Sequence, residues 1–433
     1  MARVEIIAIG DELLRGDVVN TTTAFIREQL AGVGYELVQL TTVGDEIGRI
    51  VKAIRDALNA AEIVILTGGL GPTPDDVTRE ALARAIDQPL EFRTELWQEI
   101  QKLFRQRGRE TSSANISQAY LPYQARAVPN SLGTACGIIA GHDGATIIAL
   151  PGPPHELRQM VVDHVLPYLR GHYPPDPSCV TRSKTFKVYG IGESDVFERI
   201  RRLVEAAQAA GLKFSFYPRA GEVHLVITAA GAGSEAAALF DHLGPSLSNL
   251  LGASLYGAGE DTLPSVTGAL LRTHGLTVGT AESCTGGLIA HYLTNVPGSS
   301  YYFRGGIVAY DPGLKERLLH VRRSTLDNFG VVSEQTAAEM AAGACKLLGS
   351  DFGLATTGLA GPSGGTPEIP VGTVYIGLAS PDGVSVDRLF WPRLSRDQVK
   401  TMASKKAIDM LRRFLLALSQ IQEPGSRSRE PGA

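Results

Sequence analysis

The chain has 433 residues, 44% of them hydrophobic and 20% charged, with a formal net charge of −4. That length suits two or three domains of roughly 100–200 residues each, and the composition is that of a globular chain able to bury a core in each. The charge gives no support to a broad nucleic-acid-binding surface, and no stretch approaches the ~20 apolar residues of a membrane span. The opening MARVEIIAIGDELL carries a glutamate inside its apolar run, so it does not read as a signal peptide. Cys136, Cys179, Cys284 and Cys345 show neither metal-ligand spacing nor a disulfide framework, which makes a reducing cytoplasm the expected compartment.

In chain order, Val4–Ile9 reads as a strand, GDELLRGDVVNTTTAFIREQL as loop and helix, and residues 37–43 as a second strand. GDEIGRIVKAIRDAL reads as loop and helix, with Ile47, Ile50, Val51, Ile54 and Leu58 along one face. Ile63–Thr67 is a third strand, followed by GGLGPTPDDVT. Strands alternating with helices imply a parallel sheet covered on both faces, whose ligands bind at the strands' carboxyl ends. Those ends hold Asp11 and Glu12, then Asp45, then Gly68, Gly69, Gly71, Thr73, Asp75 and Asp76. Glycines and hydroxyls there suit phosphate oxygens. Five carboxylates without nearby His or Cys suit a hard cation such as Mg²⁺, although Asp75 and Asp76 could equally serve a helix start.

Pro174, Pro175 and Pro177 mark a linker. Beyond it, residues 184–189 read as a strand, 195–210 as a helix, 212–217 and 222–229 as two strands, and 234–251 as a helix. The turn GIGES after the first strand is not the GXXG loop between helices that an RNA-binding KH module needs, so a packing or spacer role is expected.

The last region opens with a helix over 262–273. A short strand, Leu276–Thr280, then leads into AESCTGG, and helical spacing resumes at Leu288, Ile289, Tyr292 and Leu293. Ser283 therefore lies on a strand-to-helix turn, where free backbone N–H groups can hold a phosphate or an oxyanion. Gly286 and Gly287 would let a ligand approach the backbone. GIVAY (306–310) reads as a further strand and 314–320 as a helix, placing Tyr310 at a strand end and Lys315 one turn on. A desolvated lysine can activate a serine, with a tyrosine relaying the proton. From spacing alone the plainer reading stays ahead: Ser283 as an N-cap, Lys315 as a solvated helix residue and Tyr310 as a core aromatic. Cys284 is the rival nucleophile. Ser333 is expected to cap a helix to Leu348. Residues 354–357 form a strand, whose following loop GLAGPSGGTPEIP, with Thr357 and Gly358, suits a pocket wall. A hairpin over 371–391 and a helix from Arg396 to Leu418 close the fold, and the tail from Glu423 is expected to be disordered.

Three motifs in register, AESCTGG, PGSSYYFRGGIVAYDPGLKERLL and TTGLAGPSGGTPEIPVGTVYIGL, resemble the nicotinamide-nucleotide amidohydrolase domain of the CinA family. GDELLRGDVVNT, TVGD, LTGGLGPTPDDVT, NISQAYLP, NSLGTACGIIA and ALPGPPHEL resemble the molybdopterin-binding-like domain that opens CinA proteins, with Cys136 where the family usually has proline. The middle unit resembles the family's small KH-like domain. The resemblance implies an α/β architecture of three parts, with residues 1–172 as a molybdopterin-binding-like domain, 178–253 as the KH-like α+β spacer, 256–420 as the α/β deamidase domain and 421–433 as tail. It implies a cytoplasmic homodimer that hydrolyses nicotinamide mononucleotide to nicotinate mononucleotide and ammonia, and ADP-ribose to AMP and ribose 5-phosphate. The deamidase would need no cofactor and would use Ser283 as nucleophile with Tyr310 and Lys315. Its substrate contacts would come from Thr285, Gly286, Gly287, Ser300, Thr357, Gly358, Gly361 and Arg396. The pyrophosphatase would bind phosphate at Gly68, Gly69, Gly71 and Thr73. Its divalent metal, Mg²⁺ or a transition metal such as Co²⁺, would sit on Asp11, Glu12, Asp45, Asp75 and Asp76. A regulatory protein of competence or DNA damage, and a molybdopterin-type ligand for the first domain, are the competing expectations.

Overall fold

A computed structural model describes residues 2–174, 180–231 and 234–421. Pro175 and Pro177 of the expected linker, Cys179 and the tail from Glu423 lie outside the described residues. The chain divides into two units, one built mainly on residues up to 183 and the other on most of the remainder.

In the first unit, β1 (Arg3–Ile9), β2 (Glu36–Val43) and β3 (Ile63–Thr67) are followed by a short two-stranded ladder of β4 (Leu90–Phe92) and β5 (Tyr120–Pro122). Then come β6 (Arg126–Val128), β7 (Gly137–His142) and β8 (Ala145–Leu150). The main sheet has the order β2-β1-β3-β8-β7-β6, parallel across the first four strands and antiparallel through the last two. β3 is buried along its whole length because its alternate side chains feed two cores. Val64 and Leu66 join Ile7, Ile9, Ile50 and Ile54 on one face. Ile63 and Ile65 join Val4, Ile6, Ile26 and Leu30 on the other. An unbroken apolar run is what a strand covered by helices on both sides requires.

Further along the chain, β9 (Thr181–Tyr189), β10 (Leu212–Arg219), β11 (Glu222–Ala230) and β12 (Leu255–Ala258) form a sheet of order β10-β11-β9-β12. The chain continues with β13 (Val278–Glu282), β14 (Phe303–Val308), β15 (Phe352–Gly358), β16 (Thr373–Ser380) and β17 (Gly383–Phe390), ordered β14-β13-β15-β16-β17. β14, β13 and β15 run parallel, so the turns after them gather at one sheet end. Ser333 caps the helix Glu334–Leu348 by accepting from the Thr336 N–H at 3.2 Å. The final helix begins at Arg396 and runs to Ile421. The strand expected at 306–310 in fact begins at Phe303 and ends at Val308, so Tyr310 lies beyond it. No helix among the described residues is long and apolar enough to cross a membrane.

Candidate active sites

The site around Ser283 starts from a buried carboxylate. Glu282, the last residue of β13, is 1% exposed and has no cationic partner among the described residues. Its Oε2 accepts from the Thr285 hydroxyl at 2.6 Å, the Gly287 N–H at 3.0 Å and the Ile289 N–H at 3.1 Å, and its Oε1 accepts from the Ala290 N–H at 2.9 Å. A charge this deep is tolerable only because it collects the unpaired N–H groups of the helix Leu288–Thr294. The turn between is thereby fixed, and Gly286 and Gly287 take the left-handed backbone it needs, at φ 64° and 96°.

Ser283 projects from this turn into a cavity of about 270 Å³, which Cys284, Tyr310, Lys315, Thr357, Gly358, Gly361 and Arg396 also line. Lys315 comes from the helix Pro312–Leu319, capped by Asp311, which accepts from the Gly313 N–H at 2.8 Å. Its ammonium donates to Ser283 Oγ at 2.9 Å and to the Ala309 carbonyl at 2.5 Å. Lys315 is 2% exposed. Burial lowers its pKa from 10.5 to about 8, against the opposing pull of Cys284 and Asp311. The same burial pushes the Cys284 thiol up to about 12, so near neutrality it stays a protonated, inert thiol.

Several expected site residues are placed otherwise. Tyr310 does not bridge serine and lysine: it is largely exposed, and its hydroxyl accepts from Arg396 at 3.3 Å. The Gly287 N–H is taken by Glu282, and the Gly286 N–H donates to the Ser283 carbonyl at 3.2 Å, so neither is free for an oxyanion. The Ser283 N–H donates to the Thr356 carbonyl at 3.0 Å. Thr285 is fully buried, its hydroxyl shared between Glu282 and Thr356, and it does not line the cavity. Ser300 lies on a short turn before β14, at the sheet end opposite Ser283, because β14 and β13 are parallel. Thr357 faces the cavity but its hydroxyl donates to the Val331 carbonyl at 2.6 Å, holding that wall.

The second site lies in the first unit, at the carboxyl ends of β1, β2 and β3, around a cavity of about 390 Å³. Gly68 has a φ of 101°, and a Cβ there would lie 2.2 Å from the Ile9 carbonyl oxygen, so bare backbone is the only solution. Thr78 Oγ1 donates to the Gly68 carbonyl at 2.8 Å, and buried Arg79 donates to the carbonyls of Leu70 and Gly71 at 2.6 and 2.7 Å. Asp11 and Asp45 clasp each other, each carboxylate accepting from the other's N–H, at 2.9 and 3.2 Å. Burial first, then the carboxylates of Glu12, Asp11 and Asp75, raise the Asp45 pKa, against the Asp11 N–H.

The expected five-carboxylate metal set is therefore corrected. Asp76 is spent inside its own loop, accepting from the Gly71 N–H at 2.7 Å, the Thr73 N–H at 2.8 Å and the Thr73 hydroxyl at 2.5 Å. That also removes the Gly71 N–H and both Thr73 donors as phosphate contacts. Asp11 does not line the cavity, whereas Glu12, Asp45, Asp75 and Asp76 do. Among the described residues no three His, Cys, Asp or Glu side chains are grouped closely enough to hold a metal. What remains is an all-oxygen set whose chemistry fits a cation such as Mg²⁺, which takes one or two carboxylates and completes its shell with substrate phosphate oxygens.

Three residues lining this cavity, Glu156, Gln118 and Thr134, sit in the quoted motifs without having been singled out from the sequence. Glu156 lines it, 15% exposed, and accepts from Asn130 Nδ2 at 2.7 Å. Buried Gln118 donates to Thr134 Oγ1 at 3.1 Å, and both line the cavity. Polar side chains held this firmly in ALPGPPHEL, NSLGTACGIIA and NISQAYLP were the available signal.

The fold and the two sites define a multidomain α/β protein that joins a molybdopterin-binding-like unit to a second α/β unit with a serine–lysine pair. Residues 5–171 match the probable molybdopterin binding domain, residues 183–257 the damage-inducible protein CinA KH domain, and residues 260–415 the CinA C-terminal domain. A CinA-like protein of Gloeothece citriformis is 42% identical over 95% of this chain and 99% of its own length. One from Kosmotoga olearia is 41% identical over 96% of this chain and 100% of its own. A crystal structure of CinA from Thermoplasma acidophilum is 33% identical over 38% of this chain and 97% of that chain, at a TM-score of 0.37. The chain belongs to the CinA family.

Proposed function

We propose that the serine–lysine site deamidates nicotinamide mononucleotide. The observation that carries this reading is the 2.9 Å contact between buried Lys315 and Ser283 Oγ on a cavity wall. Lys315, neutral in a fraction of molecules near pH 7, takes the Oγ proton as Ser283 attacks the carboxamide carbon. The proton passes from Lys315 to the leaving amide nitrogen, the C–N bond breaks, and ammonia departs from an acyl-enzyme ester. Water then attacks the ester carbonyl, giving a proton to Lys315, which returns it to Ser283 Oγ as nicotinate mononucleotide leaves. Oxyanion stabilisation falls to the N–H of Cys284 on the cavity wall, which has no backbone hydrogen-bond partner among the described residues.

For the first unit the reading is hydrolysis of ADP-ribose to AMP and ribose 5-phosphate, supported by the bare backbone at Gly68–Gly69 opposite Glu12, Asp45 and Asp75. A divalent cation held by one or two of these carboxylates would supply charge neutralisation at the diphosphate. Purified full-length protein incubated separately with each substrate tests both readings. Ammonia from the mononucleotide and AMP from ADP-ribose are expected, and absence of either product removes the corresponding activity.

A further inference from the structure

The final helix is gripped at two places by different parts of the chain. At its start, Arg396 donates to the Gly361 carbonyl at 2.7 Å and so braces the loop that forms one wall of the Ser283 cavity. Nine residues on, about 14 Å along the axis, the helix meets the β10-β11-β9-β12 sheet. There Lys405 pairs with Glu222, the first residue of β11, at 2.7 Å and donates to the Ala220 carbonyl at 3.2 Å. The same carboxylate accepts from the Tyr256 hydroxyl at 2.7 Å and meets His224 Nε2 at 3.0 Å. One turn further, buried Asp409 accepts from Arg412 and Arg413 at 2.9 and 2.7 Å, and Arg412 crosses to the Ala253 carbonyl at 2.6 Å.

The sheet and the helix are packed closely at this point. A Cβ on Gly221, in the turn between β10 and β11 at φ 74°, would lie 3.1 Å from both Met402 and Tyr189. Tyr189 and Tyr256 belong to the same apolar core as Val399, Ala403, Ala407 and Leu411 of the helix. Apolar packing has no direction of its own, so a helix face of small residues can slide or turn with little loss. A buried ion pair with one partner on the helix and the other on the sheet resists that. Displacement strands a charge away from water, which costs more than the pair adds to stability, and so the pair's use is to specify register.

We propose that Glu222, through its ion pair with Lys405, is a positioning residue for the serine–lysine site: it fixes the final helix in the one register that sets Arg396 against the Gly361 wall. This rests on the deamidase reading and adds the middle sheet to the parts that shape the cavity. Neither Glu222 nor Lys405 lines that cavity, so their effect passes through the helix.

The test separates register from stability. Removing one partner of a buried pair destabilises a fold, whereas removing both leaves no orphaned charge. Glu222→Gln/Lys405→Met removes both, and the glutamine oxygen can still accept from Tyr256 and His224. In the full-length protein this double variant should melt within about 2 °C of the parent. Its kcat/KM for ammonia release from nicotinamide mononucleotide should nevertheless fall about tenfold or more, as a misplacement of about 1 Å in a site produces. Lys405→Arg keeps the pair and should keep most of the rate. Hydrogen exchange followed by mass spectrometry reads the same register without ammonia: residues 359–363 should exchange faster in the double variant and at the parental rate in Lys405→Arg. Failure of the parent to release ammonia would refute the deamidase reading alone, and exchange would then decide the role of Glu222. Parental exchange in that loop, or a parental kcat/KM, in the double variant would overturn the proposal. So would exchange quickened evenly throughout the second unit, the mark of a purely structural pair.

Discussion

Replacing Lys315 with methionine should abolish ammonia release and yet stabilise the fold at neutral pH. The side chain is 2% exposed, and its pKa falls from 10.5 to about 8 on folding, chiefly through burial. The unfolded chain therefore binds the proton more tightly than the native one, so stability rises with pH between about 8 and 10.5, is full above that window and is lost as pH falls through 8. At 1.36 kcal/mol per pH unit the cost below pH 8 is about 3 kcal/mol. Methionine removes that cost while losing the bonds to Ser283 Oγ and the Ala309 carbonyl, each worth about 1 kcal/mol. A net gain of about 1 kcal/mol should remain at pH 7, and above pH 10.5, where the cost is gone but the bonds are still missing, it should turn into a loss of about 2 kcal/mol. Denaturant melts at pH 7 and pH 10.5 measure it. In the parent, the neutral base is the active form, so kcat/KM should climb from pH 6 and level off above about pH 8. Lys315→Arg, which keeps a charge that does not leave, should be as inactive as the methionine variant. A flat pH profile, or an arginine variant of near-full rate, would refute the assignment of Lys315 as base.

Ser283→Ala should release no ammonia while Cys284→Ala keeps most of the rate, because burial holds the thiol protonated up to about pH 12; the reverse pattern in a coupled ammonia assay would make the thiol the nucleophile. EDTA should stop AMP formation and leave ammonia formation unchanged, and loss of both products would put a metal into the deamidation. Asp76→Ala should lower Tm by several degrees and cut AMP formation at every metal concentration, since it removes three hydrogen bonds that shape the Gly71–Thr73 loop. Asp45→Asn should instead raise the metal concentration needed for half-maximal AMP formation; similar metal titrations for the two variants would refute the division of roles between them.

What the sequence reveals about each site depends on how local the determining contact is. The strand–turn–helix around Ser283 and the helix carrying Lys315 are written in short-range apolar periodicity and in glycines, so both were legible, and the fold brings the two side chains to 2.9 Å. Tyr310 has the same local credentials, but its hydroxyl is claimed by Arg396, 86 residues later, and nothing near Tyr310 announces that. Ser300 belongs to a motif adjacent to the site in sequence. Only the parallel pairing of β13 with β14 shows that the motif begins at one sheet end and finishes at the other. Asp75 and Asp76 are neighbours of identical chemistry and both line the cavity; that Asp76 also ties down the Gly71 N–H and both Thr73 donors is decided by the path of the backbone, which composition does not encode. Glu282 was passed over for a related reason, because a glutamate at a strand end is ordinarily solvated, and its burial follows from the helix that lands on it.

That buried glutamate has a consequence for how the serine site meets developing charge. Its carboxylate already neutralises the positive end of the helix Leu288–Thr294, so this helix dipole has little left for an oxyanion. Glu282 is thus a positioning residue whose effect on rate passes through the shape of the turn. Glu282→Gln preserves volume but offers one acceptor oxygen where two are used. With its oxygen at the three-donor position, the amide nitrogen faces the Ala290 N–H and leaves it unsatisfied. That orphaned donor costs about 1–3 kcal/mol, and the lost charge–dipole attraction adds about 0.5–2 kcal/mol. The variant should therefore lose about 1.5–5 kcal/mol of stability, read from denaturant melts, and its kcat should fall as the turn loosens. Lys315 keeps its surroundings, so the rise in kcat/KM should still centre near pH 8. A glutamate that moved protons would behave differently, its loss displacing or erasing that inflection. A glutamine variant as stable as its parent would mean the helix start needs no anion, and the account of the turn would fail with it.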